Sequence, residues 1–353
     1  MPAFSTRLLA WGDHHGRKDL PWQHPRTPYR VWVAEIMLQQ TQVKTVIPYF
    51  NQFVKQFPDI PSLAAASLDA VLALWSGLGY YARARNLHKA ARLCEQQHGA
   101  ALPTTAQALL ALPGIGASTA NAIFSQAYDQ PAVVLDGNVK RVLARHRSIP
   151  GWPGRASVHQ QLWAAAEQLL PETRGTDYTQ AIMDLGATLC TRTKPDCGQC
   201  PIKTDCEACK TGTVAQFPAP RPKLKIRKHS FHMLILTDHA GRVLLERRPP
   251  AGIWGGLWSL PAHDESQSLS ERLDISCKDL RRLPSISHQL THIKMTIHPL
   301  IGHAKTSARR VECNLDQRWC GQAEWPALGL PKPVRQLLEK HLAYDTRRVA
   351  QND

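Results

Sequence analysis

Four cysteines, Cys190, Cys197, Cys200 and Cys206, fall in the spacing C-x6-C-x2-C-x5-C, short enough for one loop to wrap four thiolates around an inorganic centre. Four thiolates also suit tetrahedral zinc, so the spacing by itself leaves a zinc site and an iron-sulfur cluster both open. Cys209 lies close enough to stand in for Cys206. Cys94, Cys277, Cys313 and Cys320 have no such company and read as ordinary small apolar residues.

Two carboxylates have contrasting settings. Glu35 sits within Val31-Trp32-Val33-Ala34-Glu35-Ile36-Met37-Leu38, where every other residue is apolar, so its helix should be buried on most sides. A lone carboxyl there loses hydration, its pKa should rise, and it can serve as a general acid near neutrality, although a snorkelling or locally paired glutamate is the plainer reading. Asp136 ends an extended apolar run and precedes Gly137-Asn138-Val139, the place of a helix N-cap. Amide donors and the positive helix end there favour its ionised form, which suits stabilisation of a cationic sugar. An acid pair split by environment is the pattern of glycosidic-bond cleavage.

Between these carboxylates lies Leu112-Pro113-Gly114-Ile115-Gly116, a tight turn whose amides can grip a phosphate beside a helix N-terminus, or simply join two helices. Asp136 follows Gly116 by twenty residues, and Lys140 and Arg141 stand one turn into the next helix, placed for phosphate contacts.

The elements that must hold these residues divide the chain. Residues 1–210 read as mostly helical, with Pro or Gly punctuation at Pro58, Pro61, Gly77, Gly99 and Pro113. Residues 211–228 form a proline-rich basic linker. An α+β domain is expected over 229–345: HMLILTDHAGRVLLERR gives a hairpin around Asp238 to Gly241, and IKMTIHPL alternates as a strand. The tail 346–353 is polar.

Composition points to a partner. With 43 Lys and Arg against 28 Asp and Glu, the net charge of +15 favours a polyanion, nucleic acid first. No charged residue lies between Glu95 and Asp129, but Pro103, Pro113, Gly114 and Gly116 break that stretch, so no membrane association is expected. The N-terminus lacks the apolar core of a signal peptide, and the expected location is cytoplasmic, with the nucleoid. In that reducing compartment, clustered cysteines are better read as metal ligands than as disulfides.

The segments AEIMLQQTQV, GLGYYARARNLHKAA, LPGIG, LDGNVKRVLAR and MDLGATLCTRTKP together resemble the MutY adenine glycosylases over nearly the whole chain. The resemblance implies a mainly α helix-hairpin-helix glycosylase fold: a six-helix subdomain over roughly 25–135, and an iron-sulfur subdomain from the N-terminus plus 136–210. It implies a [4Fe-4S] cluster on Cys190, Cys197, Cys200 and Cys206, with Glu35 as general acid and Asp136 supporting the transition state. Gln40 and Tyr80 match residues that wedge into the duplex beside a flipped base, while Gly114, Gly116, Ser118 and Lys140 complete the DNA-binding set. Bifunctional endonuclease III-like enzymes carry a lysine nucleophile at the position of Ser118, so a Schiff base has no amine here.

The C-terminal half resembles the Nudix-like domain by which this family recognises 8-oxoguanine, but it lacks the glutamate run of a pyrophosphohydrolase. The family motif H-x-F-S-H is here His288-Gln289-Leu290-Thr291-His292. Thr291 and His292 are the expected lesion contacts, with stacking weakened by the lost ring. The implied activity is monofunctional excision of adenine opposite 8-oxoguanine or guanine in double-stranded DNA, by a monomer. The rivals are an endonuclease III-like glycosylase and lyase on oxidised pyrimidines, and a non-catalytic iron-sulfur DNA-binding protein.

Overall fold

A computed structural model describes residues 3–223, 226–273, 279–304 and 316–342. Cys277 and Cys313, the tail 346–353 and linker residues 224–225 lie outside the described residues. The chain forms two compact units: residues 1–65 with 86–223, and residues 66–85 with 224–353.

The first unit is helical from Phe4–His15 to Glu207–Lys210. The helix Pro28–Leu38 starts where the Thr27 side chain accepts from the Arg30 N–H, with Pro28 supplying a preset first turn. Its residues Val31, Trp32, Val33, Ala34, Ile36 and Met37 are all buried. Continuous apolar sequence around Glu35 therefore becomes a helix enclosed on most sides. The hairpin joins the helices Ala106–Leu110 and Ala117–Tyr128. Gly114 turns through φ +80°, and a Cβ there would stand 2.8 Å from the Asn86 Cβ, so both conformation and space require glycine.

The helix Gly137–His146 follows an irregular segment and begins at Asp136, whose Oδ1 accepts from the Val139 N–H at 2.7 Å. Its inner face, Val139, Val142 and Leu143, packs with Leu8, Leu162 and Leu185 in the core of this unit. The linker is not wholly extended: Val214–Gln216 makes a 3-10 turn, and Arg227 and Lys228 already belong to the first strand.

The second unit is a mixed sheet of β1 (Arg227–Thr237), β2 (Val243–Arg247), β3 (Trp258–Ser259), β4 (Ala262–His263), β5 (Arg281–Arg282), β6 (Ile286–Gln289), β7 (Ile293–His303) and β8 (Gln317–Cys320). Strands β1 and β7 run parallel along their full length, from Arg227 opposite Ile293 to Thr237 opposite His303, and the other pairings are antiparallel. The helix Lys332–Leu342 lays Val334, Leu337 and Leu338 against Phe231, Met233, Met295 and Ile297 of the sheet. The expected hairpin is present: Asp238 donates its N–H to the Arg242 carbonyl, and the Asp238 carboxylate binds the Arg242 side chain.

Residues 66–85, which the sequence reading places in the helical half, pack with this sheet. Asp69 pairs with Arg247 at 2.6 Å and accepts from the Trp258 indole N–H, and Ser76 donates to the Leu330 carbonyl. No helix among the described residues is long and apolar enough to cross a membrane. Cys94 and Cys320 are fully buried, as small apolar residues would be.

Candidate active site

One cleft of the helical unit is lined by Glu35, Gln40, Gly116, Ser118 and Asp136, the first and last of them 101 positions apart in sequence. Each reaches it from a different element end. Glu35 comes from the third turn of Pro28–Leu38, and Gln40 from the bend just beyond, where its own φ is +58°. Gly116 and Ser118 open the helix Ala117–Tyr128, while Asp136 caps Gly137–His146. Gly114 shapes the turn behind, where its carbonyl accepts from the Gln39 amide.

Glu35 is half-buried, open to the cleft but crowded by protein on its other sides. Desolvation and the neighbouring Asp136 carboxylate push its pKa from the ordinary 4.5 up to about 7, against an opposing hydrogen bond from Gln126. The Gln126 Nε2 donates to Glu35 Oε1 at 2.7 Å. Asp136 behaves differently from the sequence expectation. Burial raises its pKa above the usual carboxylate value, outweighing the Val139 and Asn138 donors and the charges of Arg141 and Lys140. The cap is real, but the extended run before it, Val133-Val134-Leu135, is buried and takes the carboxyl with it. Asp136 nevertheless has two backbone donors and two cations beside it, all of which favour its carboxylate, where Glu35 has one amide.

Ser118 does more than leave room. Its Oγ accepts from the Leu135 N–H at 3.0 Å and so clamps the residue before Asp136. Lys140 is half-buried one turn behind Asp136, and burial lowers its pKa against the pull of that carboxylate.

Cys190, Cys197, Cys200 and Cys206 line a second cavity, together with Cys209, Val142, Leu189 and Ile202. Arg145, only 3 % exposed, grips this loop: it donates to the Cys190 Sγ and to the carbonyls of Cys190, Thr191, Arg192, Val214 and Phe217. Soft sulfur donors lining one cavity beside a fixed guanidinium fit an anionic thiolate-held group. Among the described residues, no three His, Cys, Asp or Glu side chains already stand at metal-binding geometry.

In the second unit, Tyr80 is 46 % exposed at φ +51°, and its hydroxyl meets the Thr291 Oγ1 at 3.2 Å. The Arg83 guanidinium lies 5.3 Å from the Tyr80 ring centroid, a cation–π contact that braces the ring. Thr291 and His292 sit exposed in the turn between β6 and β7, closed by the Leu290 N–H on the Ile293 carbonyl. Leu290 itself packs inward against the core of this unit.

Sequence reasoning passed over Gln126 and Arg145. Gln126 stood out little, because its helix also carries Ser118, Thr119, Asn121 and Ser125, and Arg145 carried no signal beyond its charge.

Residues 33–168 match the HhH-GPD superfamily of base excision DNA repair proteins, and residues 232–340 match the NUDIX domain. The class is therefore a helix-hairpin-helix base-excision glycosylase with an appended Nudix-like domain, and a thermostable thymine-DNA glycosylase shares the fold of the helical part. That structure superposes with a TM-score of 0.53 at 27 % identity, covering 59 % of this chain and 95 % of its own. The adenine DNA glycosylase of Buchnera aphidicola subsp. Baizongia pistaciae is 35 % identical over 97 % of this chain and 98 % of its own length. The human adenine DNA glycosylase is 34 % identical over 92 % of this chain and 71 % of its own. The chain belongs to the adenine DNA glycosylase family.

Proposed function

We propose that the protein excises adenine mispaired with 8-oxoguanine, or with guanine, by hydrolysis of the N-glycosidic bond. The observation that carries this reading is the pair of carboxyls lining one cleft, Glu35 with its pKa raised to about 7 and Asp136 flanked by backbone donors. Adenine is a poor leaving anion until protonated, and the departing deoxyribose acquires oxocarbenium charge. Glu35 delivers the proton to N7 of the flipped base; Asp136 steadies the sugar cation. Gln40 is a wedge into the duplex beside the flipped base, Tyr80 is a second wedge residue, and the hairpin at Gly114 and Gly116, with Ser118 and Lys140, takes up backbone phosphate.

Thr291 and His292 are the lesion readers in this account. The Thr291 hydroxyl replaces a serine hydroxyl, and Leu290, turned toward the core, leaves Tyr80 as the ring beside the lesion. The monofunctional outcome follows from Ser118, which offers no amine for strand cleavage.

The residues that would hold a [4Fe-4S] cluster are Cys190, Cys197, Cys200 and Cys206, with Cys209 in reserve in the same cavity. Bound there, the cluster supplies a covalent clasp for residues 190–206. Arg145 then transmits that clasp to the helix Gly137–His146, whose opposite end is Asp136. Loss of the loop loosens the helix that presents the catalytic carboxyl.

The test is incubation with duplexes holding adenine opposite 8-oxoguanine, thymine opposite guanine, or thymine glycol, each read with and without alkali. Adenine release with strand breakage only after alkali supports the proposal. Breakage without alkali supports the lyase, and no adenine release defeats the reading.

A further inference from the structure

The helix Ala117–Tyr128 touches the Glu35 carboxyl and the backbone just before Asp136. Near its start Ser118 clamps the residue before Asp136, and near its end Gln126 donates to Glu35. The backbone at that end is pinned on all sides. The Ser125 hydroxyl donates to the Gly175 carbonyl at 2.9 Å and lies 2.8 Å from the Thr179 hydroxyl, and Thr176 donates to the Ser125 carbonyl at 2.9 Å. Gln126 is 3 % exposed, so its amide has no room to wander and no water to compete with it.

On a neutral carboxylic acid the amide N–H is accepted best by the carbonyl oxygen, because the hydroxyl oxygen is the poorer acceptor. Because Gln126 engages Oε1, the proton of neutral Glu35 belongs on Oε2.

We propose that Gln126 is a positioning residue for proton delivery: it fixes Oε1 of Glu35 as the acceptor, so that Oε2 carries the proton into the cleft. This rests on the reading of Glu35 as the general acid. Without the amide, the acid is free to rotate and to place its hydrogen on either oxygen, and the productive arrangement is one of several. A small loss of alignment at a reacting group costs about tenfold to hundredfold in rate. The charged groups facing Glu35 are Asp136 from the neighbouring helix start, and Arg17 and Lys44, which line the same cleft; none of them donates to Oε1.

The experiment uses the full chain with Gln126→Met and Gln126→Leu, two apolar variants that remove the donor. Single-turnover adenine release is measured across pH on the duplex with adenine opposite 8-oxoguanine, alongside the Kd for that duplex and the thermal midpoint. Both variants should release adenine about tenfold to hundredfold more slowly with Kd nearly unchanged. In Gln126→Met the alkaline midpoint of the rate should rise, because the lost bond favoured the carboxylate. A purely structural role would lower the thermal midpoint and leave the pH midpoint in place. Wild-type rate and midpoint in folded variants would overturn the proposal, as would a midpoint that falls, which would mean that the acid donates to the amide. A wild-type protein that releases no adenine would overturn the function itself and is read in the same assay.

Discussion

The hydroxyls of Tyr80 and Thr291 meet at 3.2 Å although the residues are 211 positions apart. A ring placed to wedge into DNA is thus tied to the turn expected to read the lesion, and bracing by Arg83 on the other side holds it still. Thr291→Val keeps the shape and deletes the bond. It should weaken the preference for adenine opposite 8-oxoguanine over adenine opposite guanine by about tenfold, one neutral hydrogen bond's worth, measured as the ratio of single-turnover rates. An unchanged ratio would separate Thr291 from lesion reading.

Asp136 combines a structural and a chemical assignment that two substitutions can separate. Asparagine is as good a helix cap as aspartate, so Asp136→Asn should fold with nearly wild-type stability yet lose most adenine release. Asp136→Ala should lose activity and also about 1 kcal/mol in urea unfolding. Substantial activity in the asparagine variant would reduce Asp136 to a cap.

The pH profile follows from the burial of Glu35. Its pKa is raised from 4.5 to about 7, and the protonated form is the reactive one, so adenine release should be fastest below pH 7 and fall as pH rises through it. Folding should feel the same group with the same sign. The native state binds the proton more tightly than the unfolded chain, so this contribution is fully present below pH 4.5 and is lost as pH rises to about 7. A rate that increases steadily above pH 7 would be inconsistent with a general acid at this position.

Much of this site was legible in sequence because its signals are local. A single carboxylate inside Val31 to Leu38 announces burial by periodicity alone; Asp136 before Gly137 announces a cap; cysteines within seventeen positions announce a wrapped loop. What stayed hidden depends on distant packing. The partners of Glu35 and Thr291 lie 91 and 211 positions away, and nothing in Gln126 or Tyr80 names them. The raised pKa of Asp136 is of the same kind: the cap donors are readable, whereas the burial that outweighs them belongs to the assembled core. The grouping of residues 66–85 with the sheet rests likewise on Asp69 meeting Arg247, a contact that no helical pattern predicts.

The cysteine loop makes a simple prediction. The purified protein should be brown, with iron and sulfide bound through thiolates. Oxidative removal of the cluster should bleach it and lower the thermal midpoint together with adenine release, since Arg145 couples the loop to the helix behind Asp136. A colourless protein with stoichiometric zinc would replace the cluster by a zinc site.

The most direct test of the central claim is chromatographic measurement of free adenine from a duplex with adenine opposite 8-oxoguanine, comparing wild type with Glu35→Gln at saturating enzyme. The wild type should release adenine stoichiometrically. The variant should bind the duplex with similar Kd and release essentially none, a loss of at least about a hundredfold. Release by Glu35→Gln at the wild-type rate would contradict the assignment of Glu35 as the proton donor.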